Sequence, residues 1–224
     1  MIIEIKQTAA NLKLEFTIFH DGEYAYDGKL GRWHRNQGIT LSKNGMALIE
    51  GTFRPTPWLN YIPFKHLFGR PSIRRHFSAH NGEIEFKHVL EGLYQSCFVI
   101  TAGGDELRAY SRSIGSFHYI SICRVDPHGT EEQIALVETH LTTQNNLFFH
   151  KLYLLDTCAA YKDALSIFVL YYHNDHFSQR DQISVGTTVR QTWTYSRYNE
   201  MYDHEWRESN FPEENYRGKI SHED

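Results

Sequence analysis

Runs of alternating hydrophobicity, cut at short intervals by dipeptides that reverse a chain tightly, confine this sequence to an antiparallel sheet. Leu12, Leu14, Phe16 and Ile18 alternate with Lys13, Glu15 and Thr17, as a strand with one wet face requires. Asp21-Gly22 follows at once, suited to the positive φ angles of a two-residue hairpin, and the chain resumes with Tyr24 and Tyr26, expected on one face. The arrangement recurs. Ile39 and Leu41 meet Asn44-Gly45 and leave through Met46, Leu48 and Ile49; Asn81-Gly82 precedes Ile84 and Phe86. Cys97 to Ile100 meets Gly103-Gly104-Asp105 and returns through Leu107, Ala109 and Tyr110. Phe117 to Val125 turns at Asp126-Pro127-His128-Gly129 before Ile134 to Leu141. Strands joined this way are antiparallel neighbours, and about ten of them must curl, split into a sandwich or close. The absence of a long helical pattern before residue 156 disfavours a parallel α/β sheet. The expected fold is mainly β, a closed antiparallel barrel of about 10–12 strands.

After Phe148 to Leu155 the period changes. Asp156 can cap a helix, with Thr157 as the competing choice, and CAAYKDALSIFVLYY then runs on with only Lys162, Asp163 and Ser166 as polar interruptions. A helix apolar in nearly every direction is a buried one. The cluster Ile167 to Tyr172 would also suit a last buried strand; the cap and the alanines favour helix. If that helix threads the barrel, Ala160, Leu165, Phe168 and Leu170 are enclosed by strands. Residues 1–177 then form the barrel with its central helix, and residues 178–224 a polar, acidic extension. Within the extension, Ile183 to Tyr195 could make a final strand and Glu200 to Glu208 a short helix.

Charge and cysteine usage narrow the class. Lys plus Arg number 23 against 27 Asp plus Glu, which argues against a general nucleic-acid binder. The opening residues MIIEIKQTAANLKLEF alternate and carry acid, unlike a secretory signal. The apolar stretch Ala159 to Tyr172 is shorter than the roughly 20 residues that cross a bilayer, so no transmembrane helix is expected. A cytoplasmic protein follows, peripheral to a membrane if its surface meets lipid. Cys97, Cys123 and Cys158 form an odd set among apolar residues without CxxC spacing, so reduced, packed thiols are expected.

The hairpins around Asp21-Gly22, Asn44-Gly45 and Gly103-Gly104, followed by FFHKLYLLDTCAAYKDALSIFVLYYHNDHF, resemble in layout the tubby-like C-terminal domain superfamily, which includes phospholipid scramblases and LURP-one-related proteins. The resemblance covers roughly residues 1–177 and rests on no short motif. It implies about twelve strands around a central helix, no enzymatic activity, and phosphoinositide recognition through basic residues beside the barrel. The extension after Ser178 departs from that pattern, because the helix usually lies near the domain's end.

The segment Gly51 to Gly82 holds no Asp or Glu but carries Arg54, Lys65, Arg70, Arg74 and Arg75 with His66, His76 and His80, interleaved with Trp58, Tyr61, Phe64, Phe68 and Phe77. Guanidinium forks match phosphate oxygens, and aromatic rings suit the interfacial layer of a bilayer. Arg54, Trp58, Lys65, Arg70, Arg74 and Arg75 are therefore the candidate binding residues, for an anionic phospholipid headgroup or an acidic protein partner. The competing reading is a solvated connection whose aromatics plug one barrel end. From Asn199 the tail has eight acids against three bases; it could fold back on the basic segment and compete with a ligand, or both could simply be solvated. Glu83, Glu85, Glu131, Glu132 and Glu138 are expected on wet faces. No GxSxG, phosphate loop or dinucleotide fingerprint occurs, and His173-Asn174-Asp175-His176, two imidazoles and a carboxylate within four residues, has no HExxH or paired CxxC nearby to supply the converging geometry of a metal site. A non-enzymatic binding or scaffold domain without cofactor is the expectation. The alternative is a lipocalin-like barrel holding a small apolar ligand in its lumen, with or without enzyme activity, and the position of the helix discriminates.

Overall fold

The computed structural model describes residues 1–10, 13–31, 38–54, 72–79, 82–91, 95–114, 117–141, 147–177, 203 and 205–212. The strands are β1 (Ile2–Ala10), β2 (Lys13–His20), β3 (Glu23–Gly31), β4 (Gly38–Lys43), β5 (Met46–Arg54) and β6 (Ser72–Ala79). They continue as β7 (Ile84–Glu91), β8 (Gln95–Ala102), β9 (Asp105–Ile114), β10 (Phe117–Val125), β11 (Glu131–Leu141) and β12 (Phe148–Leu154). Each pairs antiparallel with its neighbour in sequence, and β1 pairs with β12 from Ile2↔Tyr153 to Lys6↔Phe149, which closes the barrel. The turn chemistry is what the dipeptides require: φ is 49° and 86° at Asp21 and Gly22, and 50° and 80° at Asn44 and Gly45, both central residues left-handed as in a type I′ hairpin.

Two local expectations change. β1 is a strand of its own, although no glycine or proline marks the reversal into β2. Tyr24 and Tyr26 do not share a face, because the register slips at Ile18↔Tyr26 and Phe19↔Tyr24 and leaves Ala25 as an extra residue on β3. That bulge leaves Tyr24 41% exposed and turns Tyr26 toward the helix.

The wall's inward face and the helix make one core. A 3₁₀ helix (Asp156–Tyr161) leads from β12 into α1 (Lys162–His176), so Ile167 to Tyr172 is helical. Leu165 to Tyr172 are each at most 1% exposed. Phe168 meets Phe86 and Phe98 edge-on at 5.6 Å, and Tyr171 stacks on Phe53 at 5.6 Å. Rings from β5, β7 and β8 thus grip one side of α1, while Phe16 of β2 and Phe148 of β12 pack against its His173. Full burial of each such ring stabilises the fold by roughly 2–3 kcal/mol. Gly28 lets α1 pass close to β3, since a Cβ there would lie 2.7 Å from Leu170 Cδ1. Leu165, Phe168 and Leu170 are enclosed as expected; Ala160 is exposed, because the 3₁₀ helix stands in the barrel's mouth.

Asp156 is not a side-chain cap. It is the first residue of the 3₁₀ helix, and its carboxylate accepts instead from the Met1 amino group at 2.6 Å. All three cysteines are buried and unbridged, and burial pushes the Cys123 thiol up to about 12. No helix among the described residues is long and apolar enough to cross a membrane. The expected strand Ile183 to Tyr195 lies outside the described residues. A short helix, α2 (Trp206–Asn210), overlaps the end of the helix expected over Glu200 to Glu208, most of whose earlier residues lie outside the described ones.

Candidate functional site

Because each strand pairs with its neighbour in sequence, alternate connections lie at opposite ends of the barrel. The hairpin end carries the turns after β2, β4, β6, β8 and β10 and the start of the helical segment. The opposite end carries the connections after β1, β3, β5, β7, β9 and β11.

Of the basic residues nominated from sequence, Arg54, Arg74 and Arg75 belong to the opposite end. Arg54 closes β5, is exposed, and donates from Nη2 to Ser78 Oγ at 3.0 Å. The β5–β6 register sets Arg54 against His76. Arg75 pairs with His88 of β7, and the register slips between Ile73 and Arg75, leaving Arg74 as the extra residue. The backbone therefore gathers Arg54, Arg74 and Arg75 at one end of two adjacent strands. Trp58, Lys65 and Arg70 lie outside the described residues. The acid-free sequence run is not acid-free in space: Glu85 of β7 lies opposite Ser78 and reaches Lys87 at 3.0 Å and His76 at 3.5 Å. The Lys87 hydrogen bond holds the Glu85 carboxyl below its ordinary range.

Inside the same end, three polar side chains form a line within the core. Thr139 Oγ1 lies 2.9 Å from His150 Nδ1, and His150 Nε2 lies 3.0 Å from His173 Nδ1. Both imidazoles are fully buried, with Phe16 and Phe148 against His173 at 4.9 and 5.0 Å. Burial pushes His150 well below its ordinary pKa, with further lowering from His173, His140 and His118, and it pushes His173 down to about 3. The pair is neutral at physiological pH. His176 stacks on Tyr172 at 4.0 Å, while Asp175 reaches His88 at 3.2 Å. The HNDH ligands thus face different partners, and no group of three potential metal ligands converges among the described residues.

Two carboxylates expected in water are sequestered. Glu131 accepts from Tyr110 Oη at 2.7 Å, and Glu138 accepts from Arg207 Nη1 of α2 at 2.8 Å. Burial alone would raise the Glu138 pKa, but His140 and Arg207 outweigh it and the net direction is down. Phe211 completes the contact with its ring 5.3 Å from that of Tyr153. The described part of the tail therefore meets β11 and β12 through a base set on an acid, not β5 and β6 through its own acids. His140, two residues along the same strand, is within reach of a period-two reading, whereas Arg207 is brought to Glu138 by tertiary packing that strand alternation does not signal.

The hairpin end holds a cavity of about 770 Å³ between the helical segment and the β4–β5 and β8–β9 hairpins. Leu41, Ile49, Ile84, Ala102 and Ala164 make its apolar surface. Glu83, Asp105 and Asp163 supply charge. Tyr26 Oη donates to Asp163 Oδ1 at 2.9 Å and Tyr161 Oη to Asp105 Oδ2 at 2.5 Å. Burial and the Asp163 bond push the Tyr26 phenol up to about 12, and the Asp105 bond raises Tyr161. Phenols held this way stay protonated and fix the carboxylates rather than transfer protons. These residues are scattered from position 26 to 163, and only closure of the barrel brings them together.

No family model, curated protein or solved structure matches this chain.

Proposed function

We propose that the chain is a non-enzymatic binding domain of tubby-like type, a barrel scaffold that meets an anionic partner through the basic end of β5 and β6. The observation that carries this reading is the filled lumen. Side chains of α1 from Leu165 to Tyr172 occupy the space where a lipocalin-like barrel would keep its ligand, so recognition moves to the rims and outer wall. The backbone of β5 and β6 brings Arg54, Arg74 and Arg75 to one end of the barrel, and Trp58, Lys65 and Arg70 fall in the sequence between those strands. Guanidinium groups there suit a phosphate-bearing lipid headgroup, or an acidic protein face presenting the same geometry.

Co-sedimentation with vesicles containing phosphatidylserine or phosphoinositide tests the reading. Binding is expected at low salt, with weakening as the Debye length falls from about 10 Å at 0.1 M to about 3 Å at 1 M. It should be lost in the triple variant Arg54→Glu, Arg74→Glu, Arg75→Glu. Equal binding to neutral vesicles would overturn it. Failure to bind vesicles, with salt-sensitive capture of a polyglutamate surface, would identify the partner as an acidic protein.

A further inference from the structure

The hairpin-end cavity has a chemistry opposite to that of the basic rim. Its volume of about 770 Å³ falls within the roughly 300–1,000 Å³ of small-molecule sites, which combine apolar walls with a few placed polar groups. Three carboxylates, Glu83, Asp105 and Asp163, line it, and among the described residues its lining contains no Lys, Arg or His. Lys162 precedes Asp163 in sequence, and Arg124 acts electrostatically on Tyr161, yet neither lines the space; Arg124 is engaged by Glu132 at 2.7 Å.

The phenols decide what kind of cation fits. Tyr26 and Tyr161 each give their hydroxyl to a carboxylate and both line the space, Tyr26 with the His20 ring edge-on at 5.3 Å, so electron-rich rings stand beside the two carboxylates. Aromatic rings with carboxylates recognise an ammonium group by electrostatic attraction to the ring and by charge-assisted hydrogen bonds. The apolar walls require that the ammonium carry a hydrocarbon body, because a small hydrated cation would leave Leu41, Ile49 and Ile84 facing water. The cavity is bordered by exposed residues Leu48, Gly103 and Gly104, which allow entrance without displacing α1.

From this combination we infer that the hairpin-end cavity is a binding site for an organic ammonium with an apolar body, the ammonium set between Asp105 and Asp163 and the hydrocarbon against Leu41, Ile49 and Ala102. The site is independent of the anionic partner proposed above and lies at the other end of the barrel.

Titration of the full chain with octylammonium, 1-octanol and octanoate, followed by amide NMR, tests this assignment. Octylammonium should shift the Ala102 to Asp105 signals and bind roughly fivefold more tightly than 1-octanol, as one or two partly solvated charge pairs would produce, with octanoate weakest. The double variant Asp105→Asn, Asp163→Asn should remove that preference while 1-octanol still binds. Ala160→Trp, at an exposed lining position, should fill the cavity and weaken all three probes without unfolding the barrel. The triple arginine variant should leave octylammonium binding unchanged. Equal affinity for the three probes would overturn the ammonium assignment. Absence of shifts at Ala102 to Asp105, or octylammonium binding indifferent to Ala160→Trp in a folded variant, would overturn the site itself.

Discussion

The two ends of this barrel are built by different means. At the hairpin end, β2–β3, β4–β5 and β8–β9 reverse through two-residue turns, the exposed Leu48 rims a cavity, and carboxylates are steadied by phenols. At the opposite end, α1 finishes on Phe177, whose ring meets Phe148 at 4.6 Å and His118 at 5.0 Å, and the His150–His173 pair is sealed beneath. Local backbone geometry organises the first end, and dense packing of rings organises the second. A rim built on intrinsically stable turns keeps its shape without dense packing, while the filled lumen holds the wall round.

The contrast can be attacked most directly at Phe177. Phe177→Ala should destabilise the fold by about 3–5 kcal/mol, the range for emptying a buried aromatic site, measured by urea denaturation. A loss below about 1 kcal/mol would mean that the opposite end is looser than its burial implies.

Acid provides the second attack. The folded-state pKa values of His150 and His173 lie below the unfolded value of about 6.5. Below that pH the unfolded chain gains protons that the folded chain refuses, so stability falls as pH drops toward the folded values. Each imidazole contributes up to about 1.4 kcal/mol per pH unit. His173→Leu should flatten the dependence of the urea midpoint between pH 6.5 and 5; an unchanged slope would place the loss elsewhere.

Two smaller effects probe the hairpin end. Gly45→Ala places a Cβ on a residue at φ 80° and should cost about 1 kcal/mol, with the urea midpoint as readout. Leu48→Ala, at a residue 48% exposed, should change stability by less than about 0.5 kcal/mol. If either matched Phe177→Ala, the two ends would be held by the same kind of force and the contrast would fail.

The barrel was legible in the sequence because its information is local. Asp21-Gly22, Asn44-Gly45 and Gly103-Gly104 declare their turns within two residues, and the all-round apolarity of α1 declares its burial. What escaped is what depends on distant partners. Asp156 looked like a helix cap until the Met1 amino group took its carboxylate. Glu138 looked wet until Arg207, 69 residues away in the chain, reached it. The candidate site divides the same way. Arg54, Arg74 and Arg75 could be nominated from charge alone, whereas Tyr26, Asp105, Tyr161 and Asp163 have no sequence spacing in common and meet only because the sheet closes.

Closure also dictates an order of events for a newly made chain. The seam between β1 and β12 joins residues near 4 to residues near 151, a loop whose ends are slow to find each other. Until β12 is synthesised, β1 is an unsatisfied edge, and only Leu155 separates β12 from the helical segment that must lie inside. The plug is therefore the next part made after the last stave, and the strands it fills cannot close on one another before β1 and β12 are both present.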